Sequence, residues 1–134
     1  VKTVVEGVFV DIEFLGRVDD SAKAELYSQA LAFINPQEED FGITAVESQA
    51  AGRPVIAYRR GGAVETVKEG VTGIFFNEQT VESLVQAINN FDSAKFNPQV
   101  IKQHAEQFSL SKFKKEIKEF IDREYEKFKK GNIS

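Results

Sequence analysis

Short apolar runs alternate with stretches of helical periodicity along this chain. In an α/β protein, helices cover both faces of a parallel sheet, so each strand reads as a nearly continuous apolar run. The stretches between such runs then repeat their apolar residues every three or four positions. The alternation predicts an α/β fold whose strands lie in four runs: residues 8–15, 31–34, 55–58 and 73–76.

Capping signals mark the helices. Side-chain oxygens at residues 19–21 and at Thr80 precede two of them, and Asn97-Pro98 begins a third. Gly52, with Pro54 just beyond it, ends a further helix. The apolar positions at helical spacing are Leu26, Tyr27 and Ala30; Ile43, Val46 and Ala50; Leu84, Val85, Ile88 and Phe91.

The composition limits the classes of function. A chain of 134 residues is about one domain long, so we expect a single domain over 1–134. No cysteine and a single histidine exclude disulfides, thiolate metal sites and His-rich metal sites. The net charge of −4 argues against nucleic-acid binding. No apolar run reaches the ~20 residues that cross a bilayer, and no secretory signal is visible, so we expect a cytoplasmic protein.

A closing helical segment is predicted at about residues 97–130. Its last helix carries an apolar stripe at helical spacing, which we expect to pack on more protein than this chain contains or to cause self-association. Residues 111–134 also hold a surplus of positive charge, which leaves contact with the inner face of a membrane open beside the favoured interpretation of a solvated face. The stripe consists of Phe113, Ile117, Phe120, Ile121 and Phe128.

The loop over residues 38–42 carries the chemistry. A strand ends in an acidic loop, and Gly42 leads directly into a helix. Ligands of open α/β sheets bind outside the carboxyl ends of strands, and free amides at a helix start favour anions. A phosphate therefore fits against the amides of Gly42, Ile43 and Thr44. Glu39 and Glu47 can both face this crevice and accept hydrogen bonds from sugar hydroxyls.

Four ordered blocks in this chain resemble the retaining family-4 glycosyltransferases of GT-B fold. The central block has the pattern E-x-F-G-x4-E, followed by A-G-x-P-V-I, and further blocks precede and follow it at the family's spacing. The blocks are residues 14–18 (FLGRV), residues 39–47 (EDFGITAVE), residues 51–56 (AGRPVI) and residues 61–73 (GGAVETVKEGVTG).

The resemblance implies a Rossmann-like domain with a parallel sheet and flanking helices, the part of such an enzyme that binds the nucleotide-sugar. Glu39 would act as the catalytic residue by contacting hydroxyls of the transferred sugar. The amides around Phe41, Gly42 and Ile43 would face the sugar and the diphosphate, and Glu47 would bind the ribose. The turn that contains Arg17 would lie near the base. Retention of configuration, no metal and no cofactor beyond the donor are implied, and the wording of the motif hints at GDP-mannose.

The resemblance also implies parts that are not found here. Members of the family have an N-terminal acceptor domain and a basic loop that grips the diphosphate, so we expect this chain to be a partial, N-terminally truncated domain that is inactive alone. Two alternatives stay open: a non-catalytic module that binds nucleotide-sugars or a partner, and a related GT-B epimerase or phosphorylase. Arg59 and Arg60 are interpreted mainly as solvated, and His104 as structural or exposed.

Overall fold

The computed structural model describes residues 2–5 and 8–131. Two 3₁₀ turns, Ser93–Lys95 and Glu106–Phe108, join the later helices. The strands are β1 (Lys2–Val5), β2 (Val8–Asp11), β3 (Phe33–Asn35), β4 (Val55–Tyr58) and β5 (Gly73–Phe76). The helices are α1 (Asp20–Gln29), α2 (Ile43–Ala50), α3 (Ala63–Thr66), α4 (Val81–Asn90), α5 (Pro98–Ala105) and α6 (Leu110–Lys129).

A three-stranded parallel sheet in the order β3-β4-β5 forms the centre of the fold. Its register aligns Phe33 with Val55 and Val55 with Gly73. Helices connect the strands and cover the sheet, so the α/β, Rossmann-like prediction is confirmed. The three strands run in one direction, and the loops that follow them leave from the same edge.

Both faces of β4 are buried, which explains its unbroken apolar run. One face packs Val55 and Ala57 against Ala45 of α2 and Ala63 of α3. The opposite face packs Ile56 and Tyr58 with Phe76 and with Ala87 of α4. Removing a Val or Ile side chain from water stabilises a fold by about 1.5–3 kcal/mol, so this strand anchors the domain.

The predicted helix caps are confirmed by hydrogen bonds at the starts of three helices. Asp19 accepts from the Ala22 N–H at 2.8 Å, Thr80 from Ser83 at 3.2 Å and Asn97 from Gln99 at 2.9 Å. Ser109 caps α6 in the same way. A cap of this kind contributes about 1 kcal/mol.

The prediction of a strand over residues 8–15 is wrong in its second half. β2 ends at Asp11, and it pairs antiparallel with β1 in a separate two-stranded sheet. The register places Asp11, the last residue of β2, opposite Lys2, the first residue of β1. Ile12, Phe14 and Leu15 are exposed.

The prediction of a buried strand over residues 31–34 is also wrong in part. β3 begins at Phe33, Leu31 is 72% exposed and Ile34 is 41% exposed. Within the described sheet β3 is an edge strand, and Ile34 pairs with Ile56 but lies outside the buried cluster to which Ile56 belongs. Phe33 is packed as predicted, with its ring edge to face on Tyr27 of α1.

The predicted closing helices are present as α5 and α6. α5 packs on α2 and buries Ile101 and Ala105. The apolar stripe of α6 is exposed throughout, with Phe120 at 50% and Phe128 at 65%. None of the helices in the described ranges has both the length and the apolar content that a membrane span requires.

Candidate functional site

Two loops meet at the edge of the sheet where β3 and β4 end. The N–H of Gly62, after β4, donates to the carbonyl of Glu39, after β3, at 2.7 Å. A Cβ at Gly61 would lie 2.3 Å from Glu39 O, and one at Gly62 would lie 2.5 Å from Asp40 O and from the Phe41 Cα. Only glycine fits at these two positions, so the pair sets the path of the acidic loop.

Gly42 turns this loop into α2. Its φ of +75° is a left-handed conformation that residues with a Cβ adopt at a cost. No side chain caps the helix, and the first backbone bond of the turn runs from Ala45 N–H to Gly42 O. The amides of Ile43 and Thr44 stand at the positive end of the helix dipole, where an anion is favoured.

Glu39 stands beside the start of α2. Gln37 donates its amide N–H to Oε1 of Glu39. The other oxygen, Oε2, comes within 3.3 Å of the place where a Cβ on Gly42 would be, and Nδ2 of Asn35 within 3.7 Å. The loop therefore holds the carboxylate beside Gly42, the residue from which α2 starts.

Asn35 was missed by sequence reasoning. It ends β3 and is only 2% exposed, so a buried amide lies beside Glu39 and Gly42. The signal in the sequence is a polar residue closing an apolar run immediately before Pro36.

Glu47 faces α1. Lys23 Nζ lies 3.0 Å from its Oε1, and the Tyr27 hydroxyl donates to its Oε2 at 3.4 Å. The hydrogen bond to Glu47 and then that to Asp20 raise the pKa of Lys23. Burial, and then the charge of Glu47, raise the pKa of Tyr27. Sequence reasoning missed both contacts because they are not local: Lys23 lies 24 positions and Tyr27 lies 20 positions from Glu47 along the chain.

An open cavity of about 430 Å³ lies between α1 and α2. Glu47 lines it, whereas Glu39 does not, so the two carboxylates occupy the side and the amino end of the same helix. The cavity wall combines charged and apolar groups. It consists of Asp20, Lys23, Ala24, Tyr27, Glu47, Ala50 and Ala51.

The remaining predicted residues surround this region. Arg17 is exposed in the turn before α1, next to Gly16 at φ +64°. The ring of Phe41 packs edge to face against the ring of Phe108, with centroids 5.9 Å apart. The Phe41 backbone remains part of the acidic loop. Ile43 is exposed and Thr44 is half-buried.

Arg59 is engaged within the fold. It contacts Glu69 at 2.5 Å and Asn77 at 2.7 Å, and its guanidinium lies over the Phe75 ring. The hydrogen bond from Arg59 lowers the pKa of Glu69. Arg60 is exposed. In the part of the chain that the structure describes, no group of three His, Asp or Glu side chains is placed to hold a metal ion.

Comparisons with known proteins agree with this architecture. The family model described as "Glycosyl transferases group 1" matches residues 6–108. The chain is 37% identical over 113 residues to the alpha-1,3/1,6-mannosyltransferase ALG2 of Rhizomucor pusillus, covering 84% of this chain and 24% of that protein. It is 38% identical over 85 residues to the ALG2 of Dictyostelium discoideum, covering 63% of this chain and 20% of that protein. The chain thus spans less than a third of the length of these relatives.

Solved structures show the same fold. The sucrose-phosphate synthase of Thermosynechococcus elongatus matches with a TM-score of 0.76 and 27% identity, over 84% of this chain and 30% of that one. Anabaena HepE in complex with UDP-glucose matches with a TM-score of 0.61 and 26% identity, over 74% of this chain and 29% of that one.

Proposed function

Because the chain belongs to the group 1 glycosyl transferases, we propose that it is the donor-binding part of a retaining, family-4 glycosyltransferase. The whole protein transfers a sugar from a nucleotide-sugar to an acceptor. Mannose from GDP-mannose is the proposed donor, which the mannosyltransferase relatives support. The observation that carries the proposal is the start of α2 without a side-chain cap, with Glu39 beside Gly42 and the cavity at Glu47 along the same helix.

The diphosphate of the donor binds at the amino end of α2. The amides of Gly42, Ile43 and Thr44 donate to its oxygens, and the helix dipole favours its negative charge. These donors are fixed before the reaction, so they stabilise the diphosphate as it leaves without a cost of reorganisation.

Glu39 accepts hydrogen bonds from hydroxyls of the transferred sugar. Its carboxylate lies beside Gly42, which supports a role next to the proposed diphosphate, where the bond to the sugar breaks. Negative charge there favours the positive charge that develops at the anomeric carbon. Glu39 is therefore the residue that we assign to catalysis.

The nucleoside lies in the cavity between α1 and α2. Each oxygen of Glu47 has one protein donor and a further lone pair, which leaves capacity to accept from the ribose hydroxyls. The turn with Arg17 precedes α1 and lies near the base. The complexes of HepE with UDP and UDP-glucose support a nucleotide-sugar in such a domain.

The test uses the whole protein that contains this chain, supplied with GDP-mannose or UDP-glucose and a synthetic mannoside acceptor. We expect transfer from GDP-mannose, and an NMR spectrum of the anomeric carbon that shows retention. Glu39→Gln should abolish most of the transfer, whereas Glu65→Gln, an exposed glutamate of α3, should not. Inverted product would exclude the retaining assignment. Donor binding with no transfer to any acceptor would favour the non-catalytic module.

A further inference from the structure

His104 of α5 contacts two supports of the loop that carries Glu39. Its Nε2 lies 3.0 Å from the carbonyl oxygen of Thr66, at the end of α3. Its ring meets the ring of Phe108 edge to face, with centroids 5.8 Å apart. The imidazole is thus connected to the loop through two separate series of contacts, or routes.

The first route runs through α3. Thr66 is fully buried, and both its N–H and its hydroxyl bond to Gly62 O, at 3.0 and 3.1 Å. Gly62 in turn donates its N–H to Glu39 O. The last carbonyls of a helix have no partner within it, so the donor from His104 fixes the end of α3 from outside.

The second route runs through aromatic rings. Phe108 contacts His104 on one side and Phe41 on the other, each time edge to face. Phe41 lies between Glu39 and Gly42 in the acidic loop. This packing gives the loop a second contact, separate from its backbone bond with Gly62.

The hydrogen bonds of the imidazole fix its orientation. A carbonyl only accepts, so Nε2 carries the proton that bonds Thr66 O. The Gln107 amide nitrogen donates to the His104 backbone carbonyl at 2.9 Å and lies 3.0 Å from Nδ1 and 3.2 Å from Nε2 of the ring. The bond to Thr66 O is therefore the one that sets the direction of the ring.

We infer that His104 is a positioning residue, which holds the loop of Glu39 and the amino end of α2 in register. It acts through Thr66 and Phe108 and does not touch the donor. The role of Glu39 in sugar transfer rests on the proposed function, whereas the effect of His104 on the loop does not.

Amide hydrogen exchange of the chain, followed by NMR, tests this inference. The reporter is the N–H of Gly62, which bonds Glu39 O, and the reference is the N–H of Val55, which bonds Thr72 O in the sheet. His104→Phe keeps an aromatic ring but removes the donor. His104→Gln keeps an amide donor in place of Nε2. Gln103→Ala changes the neighbouring exposed residue and serves as the control.

We expect His104→Phe to speed exchange at Gly62 roughly 3- to 10-fold relative to Val55, the range for one lost hydrogen bond that opens a local segment. His104→Gln should return the rate to within about twofold of the parent, and Gln103→Ala should leave it unchanged. Equal acceleration at Gly62 and Val55, or none at Gly62, would overturn the inference. If His104→Phe does not fold, Phe108→Leu replaces it, and shifts confined to the amides of Phe41 and Gly42 are the expected result.

Kinetics of the whole protein separate this inference from the proposed function. If the loop is loosened, we expect kcat to fall in His104→Phe more than the donor KM rises, because Glu39 contributes most in the transition state. Changed exchange without any sugar transfer in the parent would refute the proposed function and leave the positioning role intact.

Discussion

The ammonium of Lys23 lies 3.0 Å from Oε1 of Glu47, so α1 holds one oxygen of the carboxylate that we assign to the ribose. The Tyr27 hydroxyl approaches the other oxygen. The direction in which Glu47 presents its remaining lone pairs is therefore set by a different helix from its own.

Lys23→Met should weaken donor binding. Without the ammonium, Glu47 loses the contact that orients it, and an ion pair that solvent reaches contributes little beyond that orientation. We expect the donor KM of the whole protein to rise roughly 1.5- to 5-fold at unchanged kcat. Lys112→Met removes the same charge from α6 and is the control. An equal effect of both substitutions would point to net charge and against orientation of Glu47.

Stability should fall in alkaline solution through Lys23 and Tyr27. The folded state raises the pKa of both groups, so it binds their protons more tightly than the unfolded chain does. Their contribution is complete below the unfolded values, about pH 10, and is lost as the pH rises through the raised folded values. Melting curves between about pH 8 and pH 11 should show this loss, and it should shrink in Tyr27→Phe. Tyrosinate absorbance gives a second measurement, in which Tyr27→Phe should remove a late-titrating phase.

Glu39→Gln and Glu47→Gln should damage different steps in the whole protein. Glu47 holds the donor equally in the ground and transition states, so losing a charged hydrogen bond of ~1.5–3 kcal/mol should mainly raise the donor KM. Glu39 contributes more as charge develops, so its loss should chiefly lower kcat. Melting curves must accompany the kinetics. Parental kcat and KM in both variants, with unchanged melting, would remove both assignments.

Gly62→Ala should destabilise the domain although its backbone φ of −62° suits alanine. The new Cβ would lie 2.5 Å from Asp40 O and the Phe41 Cα, which are backbone atoms and cannot rotate away. We expect a loss of about 1–3 kcal/mol, as for overpacking, together with loss of donor binding. Gly70→Ala is the comparison, because it has positive φ but open space around its Cβ. A milder effect at position 62 than at position 70 would mean that the loops can separate freely.

The exposed stripe of α6 should make the isolated chain self-associate. Apolar side chains exposed along one helix face favour contact with a second apolar surface. Light scattering should show a mass that rises with concentration, and Phe113→Ser combined with Phe120→Ser should restore the monomer. Lys115→Ser, on the polar face, should not. A monomer at all concentrations would contradict the prediction.

The elements that sequence reasoning placed correctly are those whose signals are local. β4 and β5 are bounded by Gly and Pro and buried on both faces or nearly so, and the caps Asp19, Thr80 and Asn97 bond to amides two or three positions away. β3 was predicted to begin too early and to be more buried than it is, because within the described sheet it is an edge strand. The residues of a short apolar run do not indicate whether the strand lies at the edge or in the centre of a sheet.

The sequence locates the acidic loop and its two glutamates, whose chemistry stays a prediction, but it does not indicate the residues that support them. The acidic loop, Gly42 and the two glutamates follow from a strand end leading into a helix. The partners of Glu47 lie on α1, and His104 bonds a carbonyl 38 positions away. Such pairings arise when helices that are distant in sequence pack together, and the periodicity of apolar residues does not predict them.

Because Gly62 contacts the Glu39 backbone, the sequences of the two loops cannot change independently of each other. Substitutions at residues 37–41 and at residues 59–62 should show strong epistasis, because residues that share a contact do not add their effects. A library intended to change the donor sugar should therefore randomise both loops together, since a new sequence in one of them meets the unchanged backbone of the other within van der Waals distance.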